Sequence, residues 1–204
     1  MTAMIRVLIA EDQAMVRGAL ASLLGLEPDI DVVSQVSRGD EVLCAALAAR
    51  PDVALLDIEM PGQSGLDASV QLRDALPGCR ILILTTFGRP GYLRRAMEEG
   101  AAGFLLKDAP ADQLAAAIRR AVAGDRVVDP GLAAAALSQG ESPLTPREQE
   151  VLAGARDHAT VAELASALFL SPGTVRNHLS SVMQKLDARN RTEAVRVAEQ
   201  KGWL

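Results

Sequence analysis

Aromatic side chains are scarce in this chain of 204 residues, at 2% of its composition. Hydrophobic residues still reach 49%, so a core has to be built from alanine, leucine, valine and isoleucine. No apolar run approaches the roughly 18 residues that suggest a membrane-spanning helix. The apolar stretch at the N-terminus is too short for a signal peptide. We therefore expect a cytoplasmic protein with no membrane insertion.

Cysteine and histidine are equally scarce, with two of each in the sequence. Cys44 and Cys79 are far apart, and without an export signal we expect reduced thiols rather than a disulfide. Cys44 falls in an apolar helical pattern and is expected in the core. His158 and His178 are too isolated to suggest a metal site.

Charged and hydroxyl side chains, by contrast, follow short apolar runs in an ordered way. Asp57 closes the run 53–56, which is typical of a buried strand that delivers one carboxylate to its C-terminal end. Three other apolar runs end similarly: 5–10 in Glu11 and Asp12, 81–84 in Thr85, and 103–106 in Lys107. In a parallel α/β sheet these ends share one edge, where ligands bind.

Strand and helix patterns alternate through residues 1–124. Strands are predicted at 5–10, 31–36, 53–57, 81–85 and 103–106, and helices at about 14–25, 39–49, 65–76, 90–99 and 110–123. Five βα units predict a five-stranded parallel, doubly wound sheet of the flavodoxin-like kind. Residues 125–143 read as a polar linker with one short helix. Residues 144–204 predict an all-α domain of four helices.

The four strand ends allow a specific chemistry. Clustered carboxylates need a cation, and an all-oxygen set suits Mg²⁺. A carboxylate beside Mg²⁺ can attack phosphorus and form an aspartyl phosphate. The Lys107 ammonium and the Thr85 hydroxyl could then hold phosphoryl oxygens. The alternative is that each charge is merely a solvated strand end, which the order of all four makes less attractive.

A second pattern lies in the helical part. The turn 169–172 separates two amphipathic helices and predicts a helix-turn-helix. Its second helix, 172–186, would enter a major groove by its N-terminal half. The outward residues are Thr174, Arg176, Asn177, Ser180 and Ser181, with His178 at the edge of that face. Arginine suits guanine and asparagine suits adenine, whereas Thr174 and Lys185 suit phosphates. A plain helical bundle with a polar solvated face is the alternative.

The charge distribution supports nucleic acid as a ligand only modestly. Residues 1–143 hold 13 Lys and Arg against 19 Asp and Glu, and residues 144–204 hold 8 against 7. Within 170–191 the balance is +3, with four basic residues against Asp187. This local basic patch is a weak electrostatic footprint for DNA.

The first part resembles the receiver domain of two-component response regulators. The motifs that carry the resemblance are Ala10-Glu-Asp12, Asp57-Ile-Glu-Met-Pro-Gly62, Thr85 and Leu106-Lys-Asp108. The resemblance implies that Asp57 accepts a phosphoryl group from a histidine kinase and that Lys107 contacts it. It also implies a Mg²⁺ site formed by Asp12, Asp57 and the backbone carbonyl of Glu59, with Glu11 assisting. Thr85 would be the switch hydroxyl, and Phe104 the aromatic residue that rotates with it.

The second part resembles the LuxR-type output domain, which makes the whole chain similar to the NarL/FixJ family of transcriptional regulators. The motifs are Leu144-Thr-Pro-Arg-Glu-Gln-Glu-Val-Leu152, Ser171-Pro-Gly-Thr-Val-Arg-Asn-His-Leu179, Lys185-Leu186 and Arg189-Asn-Arg191. The resemblance implies that Arg176, Asn177 and Ser180 face base edges and that Lys185, Arg189 and Arg191 join the DNA surface. Ser180 departs from the lysine that the family often has there.

Further motifs resemble a DesR-like subgroup. They are Ala10-Glu-Asp-Gln13, Leu84-Thr-Thr-Phe87, Arg89-Pro-Gly-Tyr92 and Lys201-Gly-Trp203. This likeness implies a DesK-like sensor kinase and control of membrane-lipid or envelope-stress genes. The family likeness implies a homodimer when phosphorylated, with RNA polymerase as a further partner.

Two other functions remain open at this point. One is a Mg²⁺-dependent phosphotransfer enzyme with Asp57 as nucleophile, but a haloacid-dehalogenase-type phosphatase would have an aspartate where Glu59 stands. The other is a DNA binder that works without phosphorylation and keeps a relict receiver. The chain also lacks a substrate cap, so we expect a regulator rather than an enzyme, and the intact Asp12, Asp57, Thr85 and Lys107 argue against a relict receiver.

Overall fold

A computed structural model describes residues 4–86, 90–108, 110–138, 142–158, 160–201 and 203–204. The chain divides into two compact units, and their main boundary falls between Ala133 and Ala134. The first unit carries a β-sheet and the second is helical.

A parallel sheet organises the first unit. Its strands are β1 (Ile5–Ala10), β2 (Ile30–Val36), β3 (Val53–Asp57), β4 (Arg80–Thr85), β5 (Gly103–Leu106) and β6 (Val127–Val128). They lie in the order β2-β1-β3-β4-β5-β6, and each neighbouring pair is parallel. β2 lies on one side of β1 and β3 on the other, so the strand order reverses at β1. In such a sheet a crevice opens at this reversal, at the carboxyl ends of β1 and β3.

Helices connect the strands and cover the sheet. They are α1 (Ala14–Leu24), α2 (Val42–Ala49), α3 (Gly65–Ala75), α4 (Pro90–Glu98) and α5 (Ala111–Val122). All five residues of β3 are buried, as expected for a central parallel strand covered on both faces. The predicted flavodoxin-like receiver is confirmed in its five main strands and five helices.

The sheet has one strand more than the pattern predicts. β6 lies in the segment 125–143, which the sequence assigns to a linker, and the Val127 N–H donates to the Ala102 carbonyl at 2.9 Å. Two residues are too few to show the alternation by which a strand is recognised. The start of the predicted linker therefore belongs to the sheet.

Cys44 corrects another expectation, because its side chain is exposed whereas Cys79 is buried. Helix α2 buries Val42 and Ala46, which are four residues apart and share one face. Cys44 lies midway between them and points away from that face. Apolar residues occur all around α2, so the sequence pattern does not show which of them face the core.

In the described part of the chain, five helices follow β6. The short helix predicted in the linker is α6 (Pro130–Ser138), and the second unit contains α7 (Pro146–Asp157), α8 (Val161–Ala167), α9 (Pro172–Lys185) and α10 (Arg191–Gln200). Capping boxes start α7 and α8, at Thr145 with Glu148 and at Thr160 with Glu163. The last four helices share one apolar core that includes Val151, Leu152, Leu164, Val175, Leu179 and Val182. The predicted four-helix domain is confirmed.

Across the described residues, no helix combines the length and the apolar character needed to cross a membrane.

Candidate functional site

An acidic cluster occupies the crevice between β1 and β3. One carboxylate oxygen each from Glu11, Asp12 and Asp57 lies within 4.8 Å of the others. Glu11 and Asp57 are buried, whereas Asp12 is exposed. Three like charges this close repel, so the cluster requires positive charge beside it.

Lys107 supplies part of that charge. Its Nζ atom lies 2.5 Å from Glu11 Oε2 and 2.8 Å from Asp57 Oδ2, and the side chain is only 8% exposed. The Lys107 N–H also donates to the Thr85 carbonyl at 2.9 Å. The ammonium therefore bridges β1 and β3 from the end of β5, as the order of the strand ends predicts.

Lys107 offsets only part of the negative charge in the pocket, and the pKa values of both buried carboxyls are raised. Burial raises the pKa of Glu11, nearby Asp57 adds to the effect, and Lys107 opposes it. Burial likewise raises the pKa of Asp57, against the opposing effects of Lys107 and the backbone N–H groups of Ile58 and Glu59. Burial alone would lower the pKa of Lys107, but hydrogen bonds to Asp57 and Glu11 outweigh it, and the pKa is raised. A second cation would relieve both carboxylates.

The donor set fits Mg²⁺, which prefers hard oxygen ligands and keeps several waters. Asp12 and Asp57 offer carboxylate oxygens within 4.8 Å of each other, and Asp12 is exposed. Glu59 lies two residues after Asp57, in the loop that follows β3. The chemistry of these groups agrees with the expected metal site, in which Glu59 would use its backbone carbonyl.

Thr85 and Phe104 lie on neighbouring strands close to this pocket. Thr85 ends β4 and is buried, and Phe104 on β5 is fully buried. Thr85 is paired with Leu106, two residues after Phe104, so the side chains of Thr85 and Phe104 project from the same face of the sheet. The Thr85 hydroxyl and the Phe104 ring therefore lie on adjacent strands and on the same face of the sheet.

Two residues that the sequence interpretation did not single out shape the same pocket. Gly65, the first residue of α3, has no room for a side chain: a Cβ there would lie 1.8 Å from the Asp57 carbonyl oxygen. Its N–H donates to the Ile58 carbonyl at 3.0 Å. Arg17 on α1 donates from Nη1 to the Glu11 carbonyl at 2.5 Å. No sequence motif announces such contacts with backbone carbonyls.

The helix-turn-helix is formed by α8, a short turn and α9. The Leu170 N–H donates to the Ala165 carbonyl at 2.8 Å and the Phe169 N–H to the Ser166 carbonyl at 3.3 Å. This pair of bonds is the Schellman motif, which ends α8. Ser171 then caps α9 by accepting from the Thr174 N–H at 3.0 Å.

Helix α9 presents the expected polar face. Val175, Leu179 and Val182 are buried against the core. Arg176, Asn177 and Ser180 are exposed, while Thr174, His178 and Ser181 are half-buried. The predicted DNA-facing residues thus fall into an exposed group at the centre of the polar face and a half-buried group on the flank of the helix.

Glu148 joins the flank of α9 to α7. Ser181 Oγ donates to Glu148 Oε1 at 2.6 Å, and Lys185 Nζ donates to Oε2 at 2.6 Å. The Thr145 N–H also donates to Oε2, at 2.7 Å. Burial would raise the pKa of Glu148, but these donors outweigh it and lower the pKa to about 2. Glu148, which the sequence analysis names only within a LuxR-type motif, therefore links α7 to the flank of α9.

The remaining basic residues lie at the start of α10. Arg189 has a side chain that is 88% exposed and is paired with Glu193 at 3.2 Å, and its backbone N–H donates to the same carboxylate at 2.8 Å. Arg191 is half-buried. Of the motifs that suggest the DesR-like subgroup, Phe87, Arg89 and Gly202 lie outside the described residues.

Comparisons with known proteins match both units. Residues 7–119 match the response regulator receiver domain, and residues 142–198 match the bacterial regulatory proteins of the luxR family. The transcriptional regulatory protein YvfU of Bacillus subtilis is 51% identical over 98% of this chain and 100% of its own. DesR of Bacillus subtilis is 46% identical over 98% of this chain and 100% of its own.

A solved structure of a related protein covers both units. The crystal structure of ChrA, a response regulator of a heme-sensing two-component system, is 35% identical, with a TM-score of 0.59 over 99% of this chain and 100% of ChrA. The relatives are transcriptional regulators rather than phosphotransfer enzymes. The chain therefore belongs to the LuxR-type, NarL/FixJ-like family of two-component response regulators, which are DNA-binding transcriptional regulators.

Proposed function

We propose that phosphorylation of Asp57 by a sensor histidine kinase converts this regulator from a monomer into a dimer that binds specific promoter DNA. The observation that carries the proposal is the position of Asp57. Its buried carboxylate lies 2.8 Å from Lys107 Nζ and within the acidic cluster that fits Mg²⁺. This arrangement at one edge of the sheet supports the roles of Asp57 as acceptor, of Lys107 as the cation that binds the phosphoryl group and of the acidic cluster as the metal site.

The transfer requires one bond exchange. An oxygen of the Asp57 carboxylate attacks the phosphorus of a phosphohistidine, the P–O bond forms, and the P–N bond breaks with the electron pair leaving on the imidazole nitrogen. Mg²⁺, when bound by Asp12, Asp57 and the Glu59 carbonyl with Glu11 nearby, would neutralise charge on the phosphoryl oxygens. Lys107 would then exchange its bond with Asp57 for a bond with the phosphoryl group.

The switch would pass through Thr85 and Phe104. A phosphoryl oxygen would draw the Thr85 hydroxyl towards Asp57, and the space vacated would allow Phe104 to reorient. Both side chains project from the same sheet face, which supports this route. Phosphorylation can favour the dimer only if some interaction differs between the two states, and this pair is the candidate.

DNA recognition would use the open face of α9. Arg176, Asn177 and Ser180 are exposed there and would meet base edges. The phosphate contacts would come from Thr174, Lys185, Arg189 and Arg191. The predicted parts are a receiver at 1–124, a connection at 125–143 and a DNA-binding domain at 144–204, with β6 at the start of the connection joined to the receiver sheet.

The biological setting extends the proposal. The likeness to DesR supports a DesK-like kinase and targets among membrane-lipid or envelope-stress genes, and a regulator bound at a promoter can contact RNA polymerase. Such a protein would act in the cytoplasm, where its DNA lies.

A gel-shift series with a duplex selected from random-sequence DNA tests the proposal. Wild-type protein treated with acetyl phosphate and Mg²⁺ should bind more tightly than untreated protein, and Asp57→Asn should show no gain, because an amide cannot form the acyl phosphate. Equal binding with and without the donor would favour a relict receiver. Release of phosphate from added phosphoesters without any DNA binding would favour a phosphotransfer enzyme.

A further inference from the structure

Phe169 is exposed to an unusual degree for an aromatic residue. The residue is 96% exposed, in a chain that has only three phenylalanines. The contrast is Phe104, which is fully buried. Phe169 contributes no packing to the core of its own unit, so its presence has to be explained by something other than the fold.

The backbone at Phe169 makes the choice of residue more unusual. Its φ is +54°, the left-handed conformation that follows the last turn of α8. Glycine or asparagine is usual at this position of a Schellman motif, and a bulky residue there is strained. The backbone beside Phe169 is fixed by a hydrogen bond, in which Arg147 Nη2 donates to the carbonyl of Leu168 at 3.3 Å. Strain that brings no packing in return is a reason to look for function.

The residues around Phe169 indicate what kind of molecule its ring would contact. Phe169 stands two residues before Ser171, the N-cap of α9, and this end of a recognition helix enters the major groove. The sequence from 164 to 186 contains no acidic residue and has Arg176 and Lys185 as its charges. Glu163 and Asp187 flank this segment, but within it Phe169, Arg176 and Asn177 are all exposed, an apolar ring and two groups that suit DNA.

From these observations we propose that Phe169 is a specificity-determining residue, which packs its ring against the C5-methyl group of a thymine at the edge of each half-site. This methyl group is the apolar feature that the major groove offers, and aromatic side chains contact it. The inference rests on the proposed function, because it places α9 in the groove. It adds an apolar element to a readout otherwise made of Arg176, Asn177 and Ser180.

The test compares variants of the full-length protein, treated with beryllofluoride, on a duplex selected by the wild type from random-sequence DNA. Phe169→Asn should bind this duplex roughly tenfold more weakly, because most of the apolar burial is lost. Asparagine tolerates the left-handed backbone, so folding is retained. The salt dependence should not change, since no charge is altered. Phe169→Leu should restore part of the affinity.

Replacing thymines of the duplex one at a time by deoxyuridine removes single methyl groups. Wild type should lose affinity at one thymine of each half-site, and Phe169→Asn should be indifferent to that replacement. Unfolding followed by Trp203 fluorescence checks the variants, with Phe169→Gly used if the asparagine variant proves less stable.

Two results would overturn the inference: wild-type affinity of Phe169→Asn for this duplex, or unchanged sensitivity of that variant to deoxyuridine at every position. A variant that keeps its DNA affinity but loses transcription would indicate that Phe169 contacts a protein partner instead. Arg176→Ala, measured in parallel, separates the two proposals. If Arg176→Ala also keeps sequence-specific binding, the recognition helix itself is misassigned; if only Phe169→Asn keeps it, the error concerns Phe169 alone.

Discussion

The Nζ atom of Lys185 lies 2.6 Å from Oε2 of Glu148, so the last residue of the recognition helix is bound to a carboxylate of its own domain. A DNA phosphate that approaches Lys185 meets an ammonium already engaged. The free domain therefore holds α9 in place with an internal anion, and DNA has to share or replace it.

We expect Glu148→Gln to reduce the stability of the second unit by about 1–3 kcal/mol at neutral pH, because a hydrogen bond to a charged group is lost. The folded-state pKa of about 2 lies below the ordinary value of 4.5, so ionised Glu148 stabilises the fold fully above about pH 4.5 and loses this effect as the pH falls towards 2. The variant should lose less stability over this window. Trp203 is the single tryptophan and packs on this core, so its fluorescence reports urea unfolding of the second unit. Unfolding at several pH values measures the loss of stability and its pH dependence. If the stabilities of Glu148→Gln and wild type change in parallel with pH, the proposed role of ionised Glu148 is contradicted.

The Lys185→Ala variant should weaken binding to specific and random DNA alike and reduce the salt slope by about one, as expected for a lost phosphate contact. Arg176→Ala should instead cost about 1–3 kcal/mol on the specific site and relax its sequence preference. Fluorescence anisotropy over a salt series distinguishes them. An equal effect of Arg176→Ala on both DNAs would argue against base readout.

The stability effect of Lys185 can be separated from its effect on DNA. If Lys185 stabilises the domain through Glu148, Lys185→Ala should add little further loss of stability in the Glu148→Gln background. Additive losses in this double-mutant cycle would show that the ion pair is not the stabilising interaction.

Mg²⁺ should bind the receiver more weakly as the pH falls below neutral, because protons compete for carboxylates whose pKa is raised. The raised pKa values of Glu11 and Asp57 place this competition above the ordinary range for such groups. The increase in melting temperature that Mg²⁺ causes, measured by circular dichroism, reports the binding. Asp12→Asn should abolish the increase, and Asp31→Asn, an exposed aspartate of β2, is the control.

The close approach of Gly65 to Asp57 should make Gly65→Ala destabilising by about 1–3 kcal/mol, since the added methyl group overlaps a backbone oxygen. Phosphorylation by acetyl phosphate should slow as Asp57 shifts. Gly18→Ala is the matched control, because a Cβ at Gly18 meets nothing within 4 Å and alanine favours the helix. Unaltered phosphorylation of Gly65→Ala would show that the loop accommodates a side chain.

Thr85→Ala should still be labelled at Asp57 but lose most of the shift from monomer to dimer, because the hydroxyl that responds to the phosphoryl group is gone. Sedimentation with beryllofluoride, at about micromolar protein, measures the shift. Thr85→Ser is the conservative control and should restore it. Equal dimerisation of Thr85→Ala and wild type would exclude this route.

The receiver pocket could be predicted largely from the sequence because each of its side chains ends an apolar run. Glu11, Asp57 and Lys107 meet in the structure for a topological reason: parallel strands bring their carboxyl ends to one edge. The contacts that refine the pocket, from Arg17 and Gly65, involve backbone carbonyls, and the backbone carries no residue-specific signal.

The second unit shows the opposite limit of sequence interpretation. The polar face of α9 follows from helical periodicity, but periodicity does not reveal that Glu148 reaches across from α7 to Ser181 and Lys185. Nor does periodicity predict that Phe169 adopts the left-handed backbone conformation, because this position after a helix is usually occupied by glycine. Both features depend on distances between helices, which a one-dimensional pattern does not contain.

The shortage of aromatic residues has a practical consequence for spectroscopy. Biosynthetic incorporation of fluorophenylalanine would give three ¹⁹F resonances, since the chain has three phenylalanines. One would come from the buried ring of Phe104 on β5 and one from the exposed ring of Phe169 beside α9; the third, Phe87, lies outside the described residues. A single spectrum of the intact protein could then report the phosphorylation switch and the DNA contact independently, each at its own chemical shift.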